Sequence, residues 1–321
     1  MTRDVRVIHV ATAGDIHIAA PFMATAWTLS QQSASRPVTL HVIDSGLQAA
    51  TAGALERLST ASKGQFQVRW LALNPERVDS LPTVPRYPKE AFMRLLLLPG
   101  LLGELPKVLW LDCDVLVAGN LADLWDTDLA GDAAAAVPEF GARTVQAMVT
   151  EGMIGSLVSP GRADAPGFNS GVLLIDLQQW RADGLGDRAL ALSSAHANDL
   201  KFADQDALNV VLAGRWHRLD LDWNVQLGAL RSIPFVPQER LYPEVLGRAS
   251  ELLRSPKILH FARSKPWKSG LRSHYRQEYY DALRRSGFYT PNGFRRARLS
   301  ETVQGMRFYV ARRIHAAVSK S

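Results

Sequence analysis

Apolar positions along this chain fall into short runs that alternate between two periods. Residues 5–12 read as a strand running into Ala13-Gly14-Asp15, and an apolar helical pattern follows over 18–29. A second strand spans 38–43, a second helix rich in Ala, Leu and Glu spans 47–62, and a third strand spans 65–73. Strands and helices alternating at such short spacing predict an α/β chain with an open, doubly wound sheet. After a proline-punctuated loop at 82–88, the spacing predicts a helix over 89–98 that carries Arg94 inside an apolar stretch.

The next strand, Lys107-Val-Leu-Trp-Leu111, has four consecutive apolar residues and reads as buried on both faces. A turn at Gly119-Asn120, a helical turn over 121–125 and a strand over 133–138 leading to Glu139 come after it. Residues 140–166, with weak periodicity and scattered Gly, Ser and Pro, read as a long surface excursion. Phe168-Asn-Ser-Gly171 precedes an apolar strand over 172–175, and a helix runs from 177 into the 190s. A further helix opens at Asp204, 216–223 is strand-like, 225–256 is irregular, and 257–261 forms a last short strand.

Bulk composition narrows the class. With 47% hydrophobic and 21% charged residues, the chain is an ordinary globular one. Its one cysteine, Cys113, excludes an intrachain disulfide and favours a reducing compartment. Asp4, Arg6 and His9 interrupt the N-terminal apolar residues, so no secretory signal is expected. The most apolar region, 95–111, is broken by Pro99, Gly100, Gly103, Glu104, Pro106 and Lys107, short of the roughly 20 apolar residues a membrane span needs.

Charge is uneven. From Leu271 onward eleven Arg or Lys face three Asp or Glu, a surplus of +8 against +6 for the whole chain, which leaves the rest slightly acidic. That distribution disfavours a nucleic-acid binder and points to a local contact. The tail mixes these cations with Tyr and Phe. Leu299, Val303, Met306, Val310, Ile314 and Ala317 recur every three or four residues, the pattern of an amphipathic helix lying on an anionic membrane face.

The chemistry gathers at the end of the 107–111 strand, in Asp112-Cys113-Asp114. In an extended chain positions i and i+2 share a face, so the two carboxylates aim at one point while Cys113 turns away. Converging carboxylates repel unless a cation lies between them, which suggests a divalent metal. Three other Asp-x-Asp pairs occur, Asp126/Asp128, Asp204/Asp206 and Asp220/Asp222, but none follows an uninterrupted apolar strand. The first sits at the carboxyl end of its strand, where open α/β sheets place ligands, as does Asp15 after the first strand.

Each signal also has a plainer reading. A strand-end Asp pair can bond backbone amides, His260 on its short strand can be a satisfied core residue, and Asp204 can be a helix N-cap. Asn169-Ser170-Gly171 and Lys265-Pro-Trp267 can be ordinary turns. If His260 joins the two carboxylates, that donor set suits Mn²⁺ better than Mg²⁺. Gly-x-Gly-x-x-Gly after the first strand, Gly-x-Ser-x-Gly, a Walker A loop and His-Glu-x-x-His are all absent from the sequence.

Five stretches in a fixed order carry a resemblance: Lys107-Val-Leu-Trp-Leu-Asp-Cys-Asp-Val115, Leu124-Trp-Asp-Thr-Asp128, Phe168-Asn-Ser-Gly-Val-Leu-Leu-Ile175, Asp204-Gln-Asp-Ala-Leu-Asn209 and His260-Phe with Lys265-Pro-Trp267. Together they resemble glycosyltransferase family 8, which holds bacterial lipopolysaccharide α-glucosyl- and α-galactosyltransferases and, more distantly, glycogenin. The likeness covers residues 5–267 and implies a GT-A type fold, a doubly wound open mixed sheet, to which the charge and periodicity above add a C-terminal basic helical extension. The expected division is a catalytic domain over 1–270, with a nucleotide-sugar half to about 115 and an acceptor half beyond, then the basic, aromatic tail over 271–321.

The resemblance also implies roles. Asp112, Asp114 and His260 would hold Mn²⁺, with Mg²⁺ as the alternative, against the diphosphate of a UDP-hexose. Asp15 would read the uracil edge, with His17 beside it. Arg94, Asn169 with Gly171, and Asp204 would contact the donor sugar, and Lys265 the phosphates. Gln205 would lie on the β-face of the anomeric carbon and Glu139 on the acceptor side. The expected activity is retaining transfer of glucose or galactose to a glycan or glycolipid in cell-surface polysaccharide synthesis, by a cytoplasmic enzyme held at the inner membrane by its tail. A metal-dependent nucleotide-sugar hydrolase and a non-catalytic nucleotide-sugar or glycan binder are the rival expectations. Two departures stand out. His17 replaces a common Asn, and the loop His260-Phe-Ala-Arg-Ser-Lys265 is one residue short and lacks its Gly, with Arg263 as the candidate substitute.

Overall fold

The computed structural model describes residues 7–84, 87–96, 102, 105–142, 144–149, 158, 161–235, 238, 241–268 and 275–300. Its frame is a seven-stranded sheet in the order β3-β2-β1-β4-β7-β6-β8. Here β1 is Ile8–Asp15, β2 Val38–Ser45, β3 Phe66–Leu71, β4 Lys107–Leu111, β6 Ala134–Pro138, β7 Phe168–Asp176 and β8 His217–Arg218. Strands β3, β2, β1 and β4 run parallel, whereas β7 is antiparallel to both β4 and β6. The expected open mixed sheet is therefore what forms. A second sheet of three strands, β5 (Val115–Val117), β10 (Ile258–His260) and β9 (Val225–Gln226), stands beside the end of β4.

Helices cover both faces of the large sheet, and β4 shows why. Its Leu109 and Leu111 pack into one core with Phe22 and Leu55, from helices Ala19–Gln32 and Leu47–Ala61. Its Val108 and Trp110 pack into the other, with Leu185 and Leu208 from helices Leu185–Ala195 and Asp204–Val211. A strand buried on both faces needs apolar residues at every position, which is the run seen in the sequence.

Several local expectations are corrected. The Asp-x-Asp is not extended: β4 stops at Leu111, and Cys113 and Asp114 form the turn that carries the chain into β5. The helix expected over 89–98 is a 3-10 turn, Lys89–Phe92, followed by a short α-helix, Met93–Leu96. The helix after β7 breaks into Leu177–Ala182 and Leu185–Ala195, because Gly184 takes φ 58° and ends the first. Only His217–Arg218 of the stretch 216–223 is a strand, and 225–256 contains the helices Leu227–Ser232 and Pro243–Arg254. Within the expected surface excursion over 140–166, Phe140, Val145, Met148 and Val149 are buried instead, whereas 161–166 lies at the surface as expected. Residues 150–157 lie outside the described residues.

The basic extension meets the core directly. Helix Arg276–Arg285 buries Tyr279, Tyr280 and Leu283 against the Ala19–Gln32 side of the molecule. The Tyr279 ring stacks 5.0 Å from Trp267 and edge-on, at 5.9 Å, to Phe261. This helix therefore braces the loop that carries Lys265. Residues 291–300 are helical, and the expected amphipathic stripe beyond Leu299 lies outside the described residues. Among the described residues no helix is long and apolar enough to cross a membrane.

Candidate active site

A cleft of about 460 Å³ opens where β1 and β4 end, lined by Asp15, His17, Tyr87, Arg94, Asp112, Asp114, Lys265 and Trp267 among others. Asp15 accepts the His17 backbone N–H at 2.9 Å and caps the turn that follows β1. A larger cavity, of about 690 Å³, lies elsewhere: Trp27, Arg36, Lys63 and Arg285 are among its lining residues, it has no carboxylate, and it carries none of the expected residues.

The carboxylates converge through tertiary structure. The Asp112 N–H donates to the Gly171 carbonyl at 2.9 Å, tying the end of β4 to β7. The chain then leaves the large sheet, and β5 pairs antiparallel with β10, placing His260 opposite Val115. The Phe261 N–H donates to the Asp114 carbonyl at 3.0 Å. As a result His260 Nε2 lies 3.7 Å from Asp112 Oδ2 and 3.4 Å from Asp114 Oδ1. One ligand atom from each of Asp112, Asp114 and His260 lies within 4.8 Å of the others. An ion with ligand distances of about 2.0–2.6 Å can bridge such a triangle, and the oxygen-oxygen-nitrogen donor set fits a divalent cation of the Mn²⁺ kind.

The surroundings agree with that fit. Burial, more than the opposing pull of Asp112, lowers the His260 pKa, which favours the neutral ring, the form that offers a lone pair. Burial alone would raise the Asp112 carboxyl, yet the Arg94 charge and the Trp110 indole N–H bring it below the usual range. Gly171 makes room for the imidazole: a Cβ there would lie 2.2 Å from His260 Cε1. Lys265 forms an ion pair with Asp114 and is brought by burial to about 8.

Arg94 is the buried cation of the site. Its guanidinium pairs with Asp204 at 2.5 Å and Asp112 at 3.0 Å, donates to the Ser170 carbonyl, and sits 4.9 Å from the Trp110 ring centroid. Burial pushes the Asp204 carboxyl up to about 7 in spite of Arg94. Asp204 is not an N-cap. That position belongs to Ala203 at φ 55°, and the Asp204 side chain turns to Arg94 instead.

Behind the cleft lies a buried polar cluster. Asn169 Nδ2 donates to Glu139 Oε2 at 3.0 Å and to Gln205 Oε1 at 3.1 Å, while Gln205 Nε2 reaches Glu139 Oε2 at 3.3 Å. Gln205 Oε1 also accepts the Ser170 N–H at 3.1 Å, so its carbonyl is turned toward β7. Asn224 bridges Asn169 Oδ1, at 2.9 Å, to His260 Nδ1, at 3.0 Å. The sequence-predicted residues thus form two groups. Asp15, His17, Arg94, Asp112, Asp114 and Lys265 share the cleft, while Asn169, Gly171, Gln205 and Glu139 belong to the cluster beneath it. Arg263 adopts φ 59°, the left-handed conformation that the missing Gly would take freely, and its guanidinium lies 3.8 Å from Glu139 and over the Phe202 ring.

Sequence reasoning missed Asn224, Trp110 and Ser170. The one trace of Asn224 is a polar residue between Trp223 and Val225, and it is fully buried.

The profile of the family described as Glycosyl transferase family 8 matches residues 26–270. General stress protein A of Bacillus subtilis is 27% identical over 287 residues, covering 85% of this chain and 92% of that protein. The lipopolysaccharide 1,2-glucosyltransferase of Escherichia coli K12 is 29% identical over 164 residues, covering 51% of this chain and 46% of that enzyme, so the chain spans under half of that relative. Among solved structures the galactosyltransferase LgtC, in complex with donor and acceptor sugar analogs, superposes with a TM-score of 0.70 at 23% identity, covering 90% of this chain and all of LgtC. That likeness shows the GT-A fold.

Proposed function

The chain belongs to glycosyl transferase family 8, and from that membership we propose that it moves a hexose, glucose or galactose, from a UDP-sugar to a glycan or glycolipid acceptor with retention of anomeric configuration. The observation that carries this reading is the Asp112, Asp114 and His260 triangle facing a cleft that also holds Lys265. A glycosyltransferase must stabilise the negative charge that gathers on the departing diphosphate. A divalent cation held by these three residues, Mn²⁺ by preference, would supply positive charge there. Lys265, released from Asp114, supplies a second charge to the phosphates, and Asp15 with His17 holds the uracil base.

Arg94 positions Asp204 and Asp112 for the sugar, and Asp204 offers negative charge to the sugar ring as it becomes oxocarbenium-like. Gln205 lines the β-face, with Asn169 and Gly171 supporting the sugar pocket from β7. An amide is a poor nucleophile, and the Gln205 carbonyl is already shared among several donors. The acceptor hydroxyl therefore attacks from the face that the diphosphate leaves, and the departing phosphate takes its proton. Glu139 sits on the acceptor side behind Gln205.

A panel of UDP-sugars, each with Mn²⁺ and a lipid-linked glycan acceptor, tests this. A UDP-hexose is expected to be consumed only when acceptor is present, yielding an α-linked product. Free hexose released equally fast without acceptor would instead mark a nucleotide-sugar hydrolase, and tight UDP binding without turnover would mark a binding protein.

The acceptor reading extends to the membrane. We assign to the basic tail an electrostatic contact with anionic lipid at the inner membrane face in cell-surface polysaccharide synthesis. Because Tyr279 and Tyr280 are buried, Phe288, Tyr289 and Phe294 pack against the same core and Arg298 lies over the Tyr280 ring, this role is assigned to the residues beyond Ser300. A chain ending at Ser300 should bind vesicles containing phosphatidylserine at least tenfold more weakly than the full chain. At roughly 1 kcal/mol per cation near the surface, the full chain's binding should fade with salt. Equal binding by the two chains would remove the tail from the contact.

A further inference from the structure

The polar cluster beneath the cleft is a chain of side-chain amides whose direction can be deduced. Asn169 Oδ1 faces the Gly171 N–H at 3.1 Å, and a backbone N–H can only donate. The same holds for Gln205 Oε1, which faces the Ser170 N–H at 3.1 Å. Asn169 must therefore present its oxygen toward Gly171 and its NH₂ toward Glu139 Oε2 and Gln205 Oε1, both acceptors. With that oxygen fixed, Asn224 can meet it at 2.9 Å only with its own NH₂. The Asn224 oxygen is then the atom 3.0 Å from His260 Nδ1, and that nitrogen must carry the proton. Every link is buried: Glu139, Asn169, Asn224 and His260 are between 0% and 7% exposed, so water does not substitute for a lost partner.

From this we infer that Asn224 and Asn169, anchored by the Gly171 N–H and the Glu139 carboxylate, are positioning residues that set the tautomer of His260, leaving Nε2 as an open lone pair facing Asp112 and Asp114 before any cation arrives. The inference rests on the proposed metal role of that triangle and adds how the site is prepared. A neutral imidazole in water divides between two tautomers, and only one can ligate through Nε2. Fixing the tautomer from the second nitrogen orients the ring and removes that competition. The amide chain also links the His260 end of the site to Gln205, so that both ends hold one arrangement.

The test is nitrogen NMR of the full-length, metal-free protein carrying ¹⁵N-labelled histidine, with His260 assigned by its loss in His260→Gln. His260 should show a protonated Nδ1 and an unprotonated Nε2 at neutral pH. In Asn224→Leu, of similar volume but with no acceptor, that signature should give way to the other tautomer or a mixture. Mn²⁺ affinity, read by electron paramagnetic resonance without nucleotide, should fall about 10–100-fold. A protonated Nε2 in the unsubstituted protein overturns the inference, as does an unchanged tautomer in Asn224→Leu. Should that variant fail to fold, the spectrum of the unsubstituted protein still decides. A correct tautomer in a protein that binds no Mn²⁺ would sink the metal reading alone and leave the inference standing.

Discussion

Asp114→Asn should lower Mn²⁺-dependent transfer by on the order of 10²–10³-fold in kcat, the loss typical when a main stabiliser of developing charge is removed. Asp114 is 7% exposed and holds two contacts, one to His260 Nε2 at 3.4 Å and one to Lys265. The amide keeps the shape of the carboxylate but offers the cation a neutral oxygen, and it no longer balances Lys265. Metal affinity and kcat should both fall, whereas a residue that only binds donor would raise KM alone. The fold should survive, because the substitution also relieves repulsion with Asp112; a thermal melt recorded alongside checks this. Activity within threefold of the parent would take the Asp-x-Asp out of the chemistry.

The second large effect concerns stability. Arg94→Met removes the buried cation shared by Asp112 and Asp204 and should cost about 3–5 kcal/mol, the usual loss when one partner of a buried ion pair is deleted. Against a typical domain stability of roughly 5–15 kcal/mol that is a large share. The pH dependence follows from burial, which already raises Asp204 from 3.8 to about 7 with Arg94 present. Without Arg94 it rises further. A carboxyl that holds its proton more tightly folded than unfolded loses stability as pH rises. Below about pH 6 Asp204 is protonated in both proteins, so only the Asp112 share of the deficit remains; above pH 7 the deficit should widen. Urea midpoints at pH 5.5 and 8 measure this, and Arg94→Met with Asp204→Asn should suppress the widening. A deficit that is the same at both pH values would mean that Asp204 is not the group left uncompensated.

How far these sites were legible depends on the distance over which each feature is determined. The strand β4 could be read in full, because burial on both faces demands an apolar residue at each position and the run is local. Strand β2 and helices Ala19–Gln32 and Leu47–Ala61 followed from period in the same way. The break at Gly184 and the short helices of 225–256 were not read, since brief elements held by packing carry too little period to stand out. The Asp-x-Asp pair was found for a partly mistaken reason: strand alternation predicted its convergence, but a turn between two sheets produces it.

By itself, then, the sequence determined the α/β alternation, the strand that ends in Asp112, and the ordered motifs that identify the family, all of which are expressed in neighbouring residues. Only the tertiary structure decided what surrounds those motifs. Lys265 meets Asp114 across 151 positions and Asn224 meets His260 across 36, in both cases through packing of separate elements. The helix Arg276–Arg285, which composition places in the basic tail, buries Tyr279 against Trp267 and Phe261. The physical reason is common to these cases. Hydrophobic period reports which face of an element is buried, whereas the partner of a buried polar group is chosen by how elements dock, and nothing local records that choice.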